Sequence, residues 1–178
     1  MSNLVPAPKG GNALANQTGT ALARQGSETW RDPDWQRLWL AIEKQPWKTL
    51  SLVPAGGGAD ADFTLMLAVA LSRTGMTHLG EPVVVADGTA VALNELGDFI
   101  SDLQECTAQA SRLIVALPPI TSSPTAPTIA KATDASLLCV LLEKMGWAQA
   151  RETLRIVGSA RFLGSVIIRP GGSIQPSK

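Results

Sequence analysis

Residues 49–75 read TLSLVPAGGGADADFTLMLAVALSRTG, and the rest of the chain is best read outward from them. An apolar run (Leu50, Leu52, Val53) ends at Pro54, crosses Gly56, Gly57 and Gly58, and opens into a helix-forming stretch from about Asp60 to Thr74. A strand, a glycine turn and a helix in that order aim consecutive backbone N–H groups and a helix N-terminus at one point, which is how many proteins hold a phosphate. Loops that do this for ATP end in Gly-Lys-Ser/Thr, with the lysine on the β and γ phosphates and the hydroxyl on magnesium. Here the corresponding residues are GGGADADF, and Asp60 and Asp62 put negative charge where a phosphate would sit.

The chain has 178 residues, 45% of them hydrophobic, enough for one domain with a sizeable core. Its 15 basic and 15 acidic residues cancel, which leaves no overall field to steer it onto nucleic acid or an anionic membrane. Cys106 and Cys139 have neither CxxC spacing nor accompanying histidines, so reduced structural cysteines are expected and no metal site. No long apolar span follows a basic start, and a soluble, cytoplasmic protein is expected. Residues 1–28 are rich in Gly, Ala, Asn, Gln and Thr and cannot offset their ordering entropy, so a flexible arm is expected there.

Outward from the glycine turn, strand and helix signals alternate. Asp32 or Asp34 can cap a helix from about Pro33 to Lys44, with Trp35, Leu38, Trp39 and Ile42 on one face. That face could bind a partner or pack across the sheet edge. Gly75 is expected to end the helix after the glycine turn, leaving His78, the only histidine, in a loop. The run EPVVVA (81–86) reads as a buried parallel strand, with Asp87 at its carboxyl end either facing a ligand or capping the next turn. A helix from about Val91 to Gln104, or on to Ala110, a strand over Arg112 to Leu117 and the loop PPITSSPTAPT follow. One or two helical turns within 126–132, a strand over Ala135 to Leu142 and a helix over Trp147 to Val157 come next. Trp147, Ala150, Leu154 and Val157 mark that helix's expected buried face, and a strand over Arg161 to Ile168 precedes a polar tail, 170–178. The alternation predicts a three-layer α/β/α domain over 29–169 with a mostly parallel, Rossmann-like sheet.

In their order, these landmarks resemble the cytosolic P-loop domain of the bacterial tyrosine kinases that accompany capsule and exopolysaccharide export, itself similar to the MinD and ParA ATPases. The resemblance covers roughly residues 30–169. LVPAGGGADADF stands at the Walker A loop, with Ala61 or Asp62 at the lysine position and Asp62 or Phe63 at the hydroxyl position. VVVADGT stands at the second signature, where Asp87 alone could retain a metal-facing role. LIVALPPI stands at the Walker B strand, with Ala116 or Leu117 where the acid belongs. SLLCVLLEKMGWAQARETLRIV and LGSVIIR resemble the closing half of the family domain.

The resemblance implies a P-loop NTPase-like fold of the MinD/ParA type, and the departures imply its decay. Phosphoryl transfer depends on positioned positive charge and magnesium, and here the lysine, the hydroxyl and the acid are lost together. The family's tyrosine cluster is gone as well, since the chain contains no tyrosine. The expectation is a pseudoenzyme without cofactor or metal, a scaffold or regulator in an exopolysaccharide or cellulose assembly. Its implied partners are itself, an active P-loop homologue or a membrane polysaccharide export or synthase protein, with recruitment to the inner face of the membrane and no nucleic acid. Two alternatives stand beside this. One is an unconventional nucleotide-dependent switch using backbone donors of residues 55–61, Asp87 and a basic group such as Arg73 or Arg169; the other is an adaptor in a MinD/ParA-like positioning system.

Overall fold

A computed structural model describes residues 32–56, 61–109, 112–142, 147–168 and 174–176. The expected N-terminal arm therefore lies outside the described residues. The first helix, α1 (Pro33–Ile42), starts where Asp32 accepts a hydrogen bond from the Asp34 amide at 2.9 Å, with Pro33 in the first turn. Its 3.6-residue apolar repeat puts Trp35, Leu38, Trp39 and Ile42 in the core. Beyond it, the Trp47 indole N–H donates to the Ile42 carbonyl at 3.0 Å and satisfies one of the acceptors a helix end leaves open.

Strands β1 (Thr49–Pro54), β2 (Val83–Asp87), β3 (Arg112–Ala116), β4 (Ala135–Leu141) and β5 (Phe162–Ile168) form a parallel sheet. The strand order is β2-β3-β1-β4-β5, extended by β6 (Ile174–Pro176), which runs antiparallel to β5. The C-terminal stretch expected to be a tail thus supplies an edge strand. Helices α2 (Ala61–Leu79), α3 (Leu96–Gln109), α4 (Ala126–Ala132) and α5 (Trp147–Val157) complete the domain.

Because side chains alternate across a strand, the central strands feed two cores. Leu50, Leu52, Ile114, Ala116, Leu137 and Cys139 pack with α1 and α2 on one face. Val53, Leu113, Val115 and Leu117 pack with Leu103 of α3, Ile129 of α4 and Val157 of α5 on the other. The three-layer α/β/α architecture expected from the alternation is the one observed.

Buried polar strand residues pair with one another or with the adjoining turn. Ser51 lies 2.8 Å from the Ser136 hydroxyl on the neighbouring strand and accepts from Thr133 at 3.1 Å, so these hydroxyls satisfy one another inside the core. At the amino ends of β1 and β4, the Asp134 carboxylate accepts from the Lys48 and Thr49 amides at 2.9 and 2.8 Å.

Two sequence expectations fail for identifiable reasons. Helix α2 runs straight through Gly75 and ends at Gly80, whose φ of 72° lies in the left-handed region that glycine tolerates. Gly75 instead admits the Trp39 ring, since a Cβ there would stand 2.3 Å from Trp39 Cη2. His78 consequently sits in the last helical turn, 3.2 Å from a Glu43 oxygen, rather than in a loop. In α5, Ala150 and Val157 are buried as expected, but Trp147, the first residue of the helix, is 87% exposed.

Candidate functional site

The carboxyl edge of the sheet gathers the residues of interest. After β1, the Ala55 amide donates to the Cys139 carbonyl at 2.8 Å, and Ala55 is sealed between Leu138 and Ala150. Gly56 follows, with Gln149 of α5 lying directly against it. A Cβ on Gly56 would meet Gln149 Oε1 at 2.3 Å and its Cβ at 3.0 Å, so the exposed Gln149 side chain packs closely on the first of the three glycines. Gly57, Gly58 and Asp60 lie outside the described residues.

The start of α2 carries Asp62, exposed in the first turn, where a carboxylate suits the positive end of the helix dipole. Phe63, one of the two residues at the expected hydroxyl position, is a core side chain. The first-turn hydroxyl comes instead from Thr64, which is fully buried and donates to the Leu117 carbonyl at 2.8 Å. That bond fastens the first turn of α2 to the end of β3.

Ala116 and Leu117, at the Walker B-like position, are both wholly buried. The Leu117 amide donates to the Leu52 carbonyl at 3.1 Å, and the Ala116 carbonyl accepts from the Gly88 amide at 2.9 Å. The backbone at the end of β3 is therefore bonded to β1 and to the turn after β2. Asp87 pairs with Ala116 across the β2–β3 ladder, but its Oδ1 accepts from the Thr89 amide at 3.0 Å and the Thr89 hydroxyl at 2.6 Å. Of the two roles open to Asp87 in the sequence, the structure shows the turn cap. Among the described residues, no three His, Cys, Asp or Glu side chains converge as metal ligands would.

The remaining candidates lie elsewhere. Trp35, Leu38, Trp39 and Ile42, a prospective partner-binding face, are no more than 5% exposed, so that reading is corrected: the helix spends this face on the core. Trp39 meets Trp47 edge to face at 5.8 Å, and the Arg112 guanidinium stacks 4.4 Å from the Trp47 ring centre. Burial pushes the Cys139 thiol up to about 12, against a smaller lowering by its hydrogen bond with the Val53 backbone. In the proline-rich loop, Ser122 donates to the Pro119 carbonyl and Ser123 contacts the Thr125 hydroxyl, so both side chains stabilise local turns.

Sequence reasoning missed Gln149 and Thr64. A lone hydroxyl just after the glycine turn was a usable signal for Thr64. Nothing local signals Gln149, because its contact with Gly56 depends on how β4 and α5 return to β1.

This arrangement has counterparts among solved structures. The chimerical protein CapA2B2 aligns with a TM-score of 0.58 at 11% identity, covering 76% of this chain and 82% of that one. The kinase domain of the Escherichia coli tyrosine kinase ETK aligns at 0.58 and 12% identity, over 80% and 76% of the two chains. The BceF tyrosine kinase domain aligns at 0.54 and 14% identity, over 75% and 73%. The fold is one shared with bacterial tyrosine kinase domains. Identity this low establishes shared architecture only. No protein-family model matches the chain, and no curated protein matches it. No helix among the described residues is long and apolar enough to cross a membrane.

Proposed function

We propose that this protein is a catalytically inactive P-loop-like scaffold or regulatory subunit of a bacterial exopolysaccharide or cellulose synthesis or export assembly. The observation that carries the reading is the end of β3, where the metal-binding acid of a phosphoryl-transfer site would stand. Ala116 and Leu117 fill that place, fully buried, and the Leu117 carbonyl accepts the Thr64 hydroxyl. Catalysis of phosphoryl transfer is mostly electrostatic stabilisation, and an apolar position here supplies none. Gln149 against Gly56 and Asp87 folded onto Thr89 support the same reading.

The pathway rests on the sequence resemblance together with the fold shared with tyrosine kinase domains. The partners that follow are a second copy, an active P-loop homologue or a membrane polysaccharide export or synthase protein, met at the inner face of the membrane. Titration calorimetry of the full chain with ATP and magnesium tests the inactivity: no saturable heat is expected, and micromolar binding would overturn it. Affinity capture from the native organism, with and without residues 1–28, tests the pathway. Recovery of polysaccharide-assembly proteins is expected, and consistent recovery of chromosome- or septum-positioning proteins instead would favour the adaptor alternative.

A further inference from the structure

We propose that the open edge of β2 is a docking strand for an extended, basic peptide segment of another protein. Among the described residues, strand β2 ends the sheet, paired on one side with β3. The Gly88 amide donates to the Ala116 carbonyl, so in the alternating pattern of a parallel ladder the even positions of β2 face β3. The odd positions, Val83, Val85 and Asp87, therefore turn their backbone groups outward. The Val83 carbonyl confirms this direction by accepting the Ser72 hydroxyl at 2.6 Å. Val85 presents both its N–H and its carbonyl, and no described residue pairs with them. Beside this edge runs a shallow groove between β2 and α3, lined by Val84, Phe99, Leu103 and Cys106, with exposed Asp102 also lining it. Unpaired backbone next to a groove for alternate side chains is what strand addition requires.

Charge selects the occupant. Between residues 80 and 111 the chain carries Glu81, Asp87, Glu95, Asp98, Asp102 and Glu105, and no lysine, arginine or histidine. All six are exposed. Asp98, Asp102 and Glu105 recur at the spacing of one helix face on α3, while Glu81 and Asp87 flank the strand itself. The strand and the helix beside it are thus wholly acidic, and the nearest cations are Arg112, opposite Val83 on β3, and Arg73, next to Ser72. A second copy meeting this edge antiparallel with Val83 opposite Val85 would set Glu81 against Asp87 at both ends, and like charges directly opposed are destabilising. A segment with lysine or arginine flanking an apolar centre reverses both terms.

The test uses the full chain, isotopically labelled, and two probe peptides: acetyl-Lys-Val-Thr-Val-Thr-Val-Lys-amide and its analogue with glutamate at both ends. The lysine peptide is expected to slow amide exchange at Val85 and Asp87, and to bind about tenfold more weakly as ionic strength rises from about 0.02 to about 0.2 M. The glutamate peptide should leave exchange unchanged. Val85→Pro, which removes an outward N–H that the fold does not use, should abolish binding. Asp98→Lys with Asp102→Lys, both at exposed positions, should shift the preference toward the glutamate peptide. Failure of the lysine peptide at millimolar concentration, equal binding of both peptides, or binding that survives Val85→Pro would each overturn the proposal. So would sedimentation of the protein alone as a dimer that Val85→Pro dissociates, since that would assign the edge to a second copy. None of these readouts depends on whether the glycine loop binds nucleotide.

Discussion

Replacing Gly75 by alanine sets two effects of opposite sign against each other. Gly75 lies inside α2, and helix propensity alone predicts that alanine stabilises by about 1 kcal/mol. The new methyl, however, would stand 2.3, 2.5 and 2.8 Å from three atoms of the Trp39 ring. The ring must retreat by about 1 Å to reach ordinary contact distance, in an interior packed as densely as a crystal. Trp39 is wholly buried, with Trp47 at its edge and Arg112 beside its ring, so its movement is confined to the side of the groove it lines with Gln36, Leu40, Thr74 and Thr77. Overpacking of this kind costs about 1–3 kcal/mol, and three ring atoms under 3 Å place it at about 2–3 kcal/mol, so after the helix-propensity gain the net loss is about 1–2 kcal/mol. For a chain of this size the melting temperature should fall by about 2–8 °C.

Equilibrium denaturation of four proteins checks the cause: the parent, Gly75→Ala, Trp39→Phe and the double variant. The Trp39 indole nitrogen has no hydrogen-bond partner among the described residues, so Trp39→Phe sacrifices packing but no such bond there. In that background the methyl has room, and Gly75→Ala should turn neutral or stabilising. A Gly75→Ala protein as stable as the parent would refute the reasoning. So would an equal loss in both backgrounds, because the double-mutant cycle would then show no coupling between the two sites.

Other measurements bear on separate parts of the molecule. Asp134 titrates below its ordinary value of 3.8: partial burial pushes it up, but the bonds from the Thr49 and Lys48 amides, the Thr49 hydroxyl and the Lys48 charge outweigh that. A depressed carboxylate stabilises the fold above its unfolded pKa and loses that contribution as pH falls. Asp134→Asn should therefore be less stable by about 1 kcal/mol at neutral pH, a modest figure because solvent reaches the carboxylate, and the gap should close below about pH 4. A gap independent of pH down to pH 2 would exclude the linkage. Cys139, buried and with its thiol raised to about 12, should resist an alkylating reagent under native conditions, whereas half-buried Cys106 reacts first; mass spectrometry of the modified peptides reads the order. Trp147→Ala should change stability by less than about 0.5 kcal/mol by chemical denaturation, as befits a side chain 87% exposed; a larger loss would place the indole in a contact.

Much of the architecture could be read from the chain because it is written in local patterns. Asp32 and Pro33 started α1 where they stand, and the apolar periods marked β1 to β5 and α5 to within a residue or two. What failed were residues whose role is set by a neighbour distant in sequence. Gly75 looks like a helix stop until Trp39 is seen lying on it, and Trp147 shares the helical period of Ala150 and Val157 yet stands 87% exposed at the start of α5. The tryptophan face of α1 kept two readings, partner surface or core, because an amphipathic helix has the same pattern in either case; only the packed sheet chose.

At the glycine turn the division is sharper. The sequence by itself determined what the site lacks: a lysine and a hydroxyl in the expected loop positions, and an acid after β3. Those are matters of residue identity, fixed before any folding. The tertiary structure decided what stands there instead. Gln149 lies on Gly56, Thr64 is spent on the Leu117 carbonyl, and Asp87 turns back on Thr89. The first two contacts join segments that only the crossing of β3 and β4 on either side of β1 brings together, and no local pattern encodes a meeting that long-range strand pairing creates.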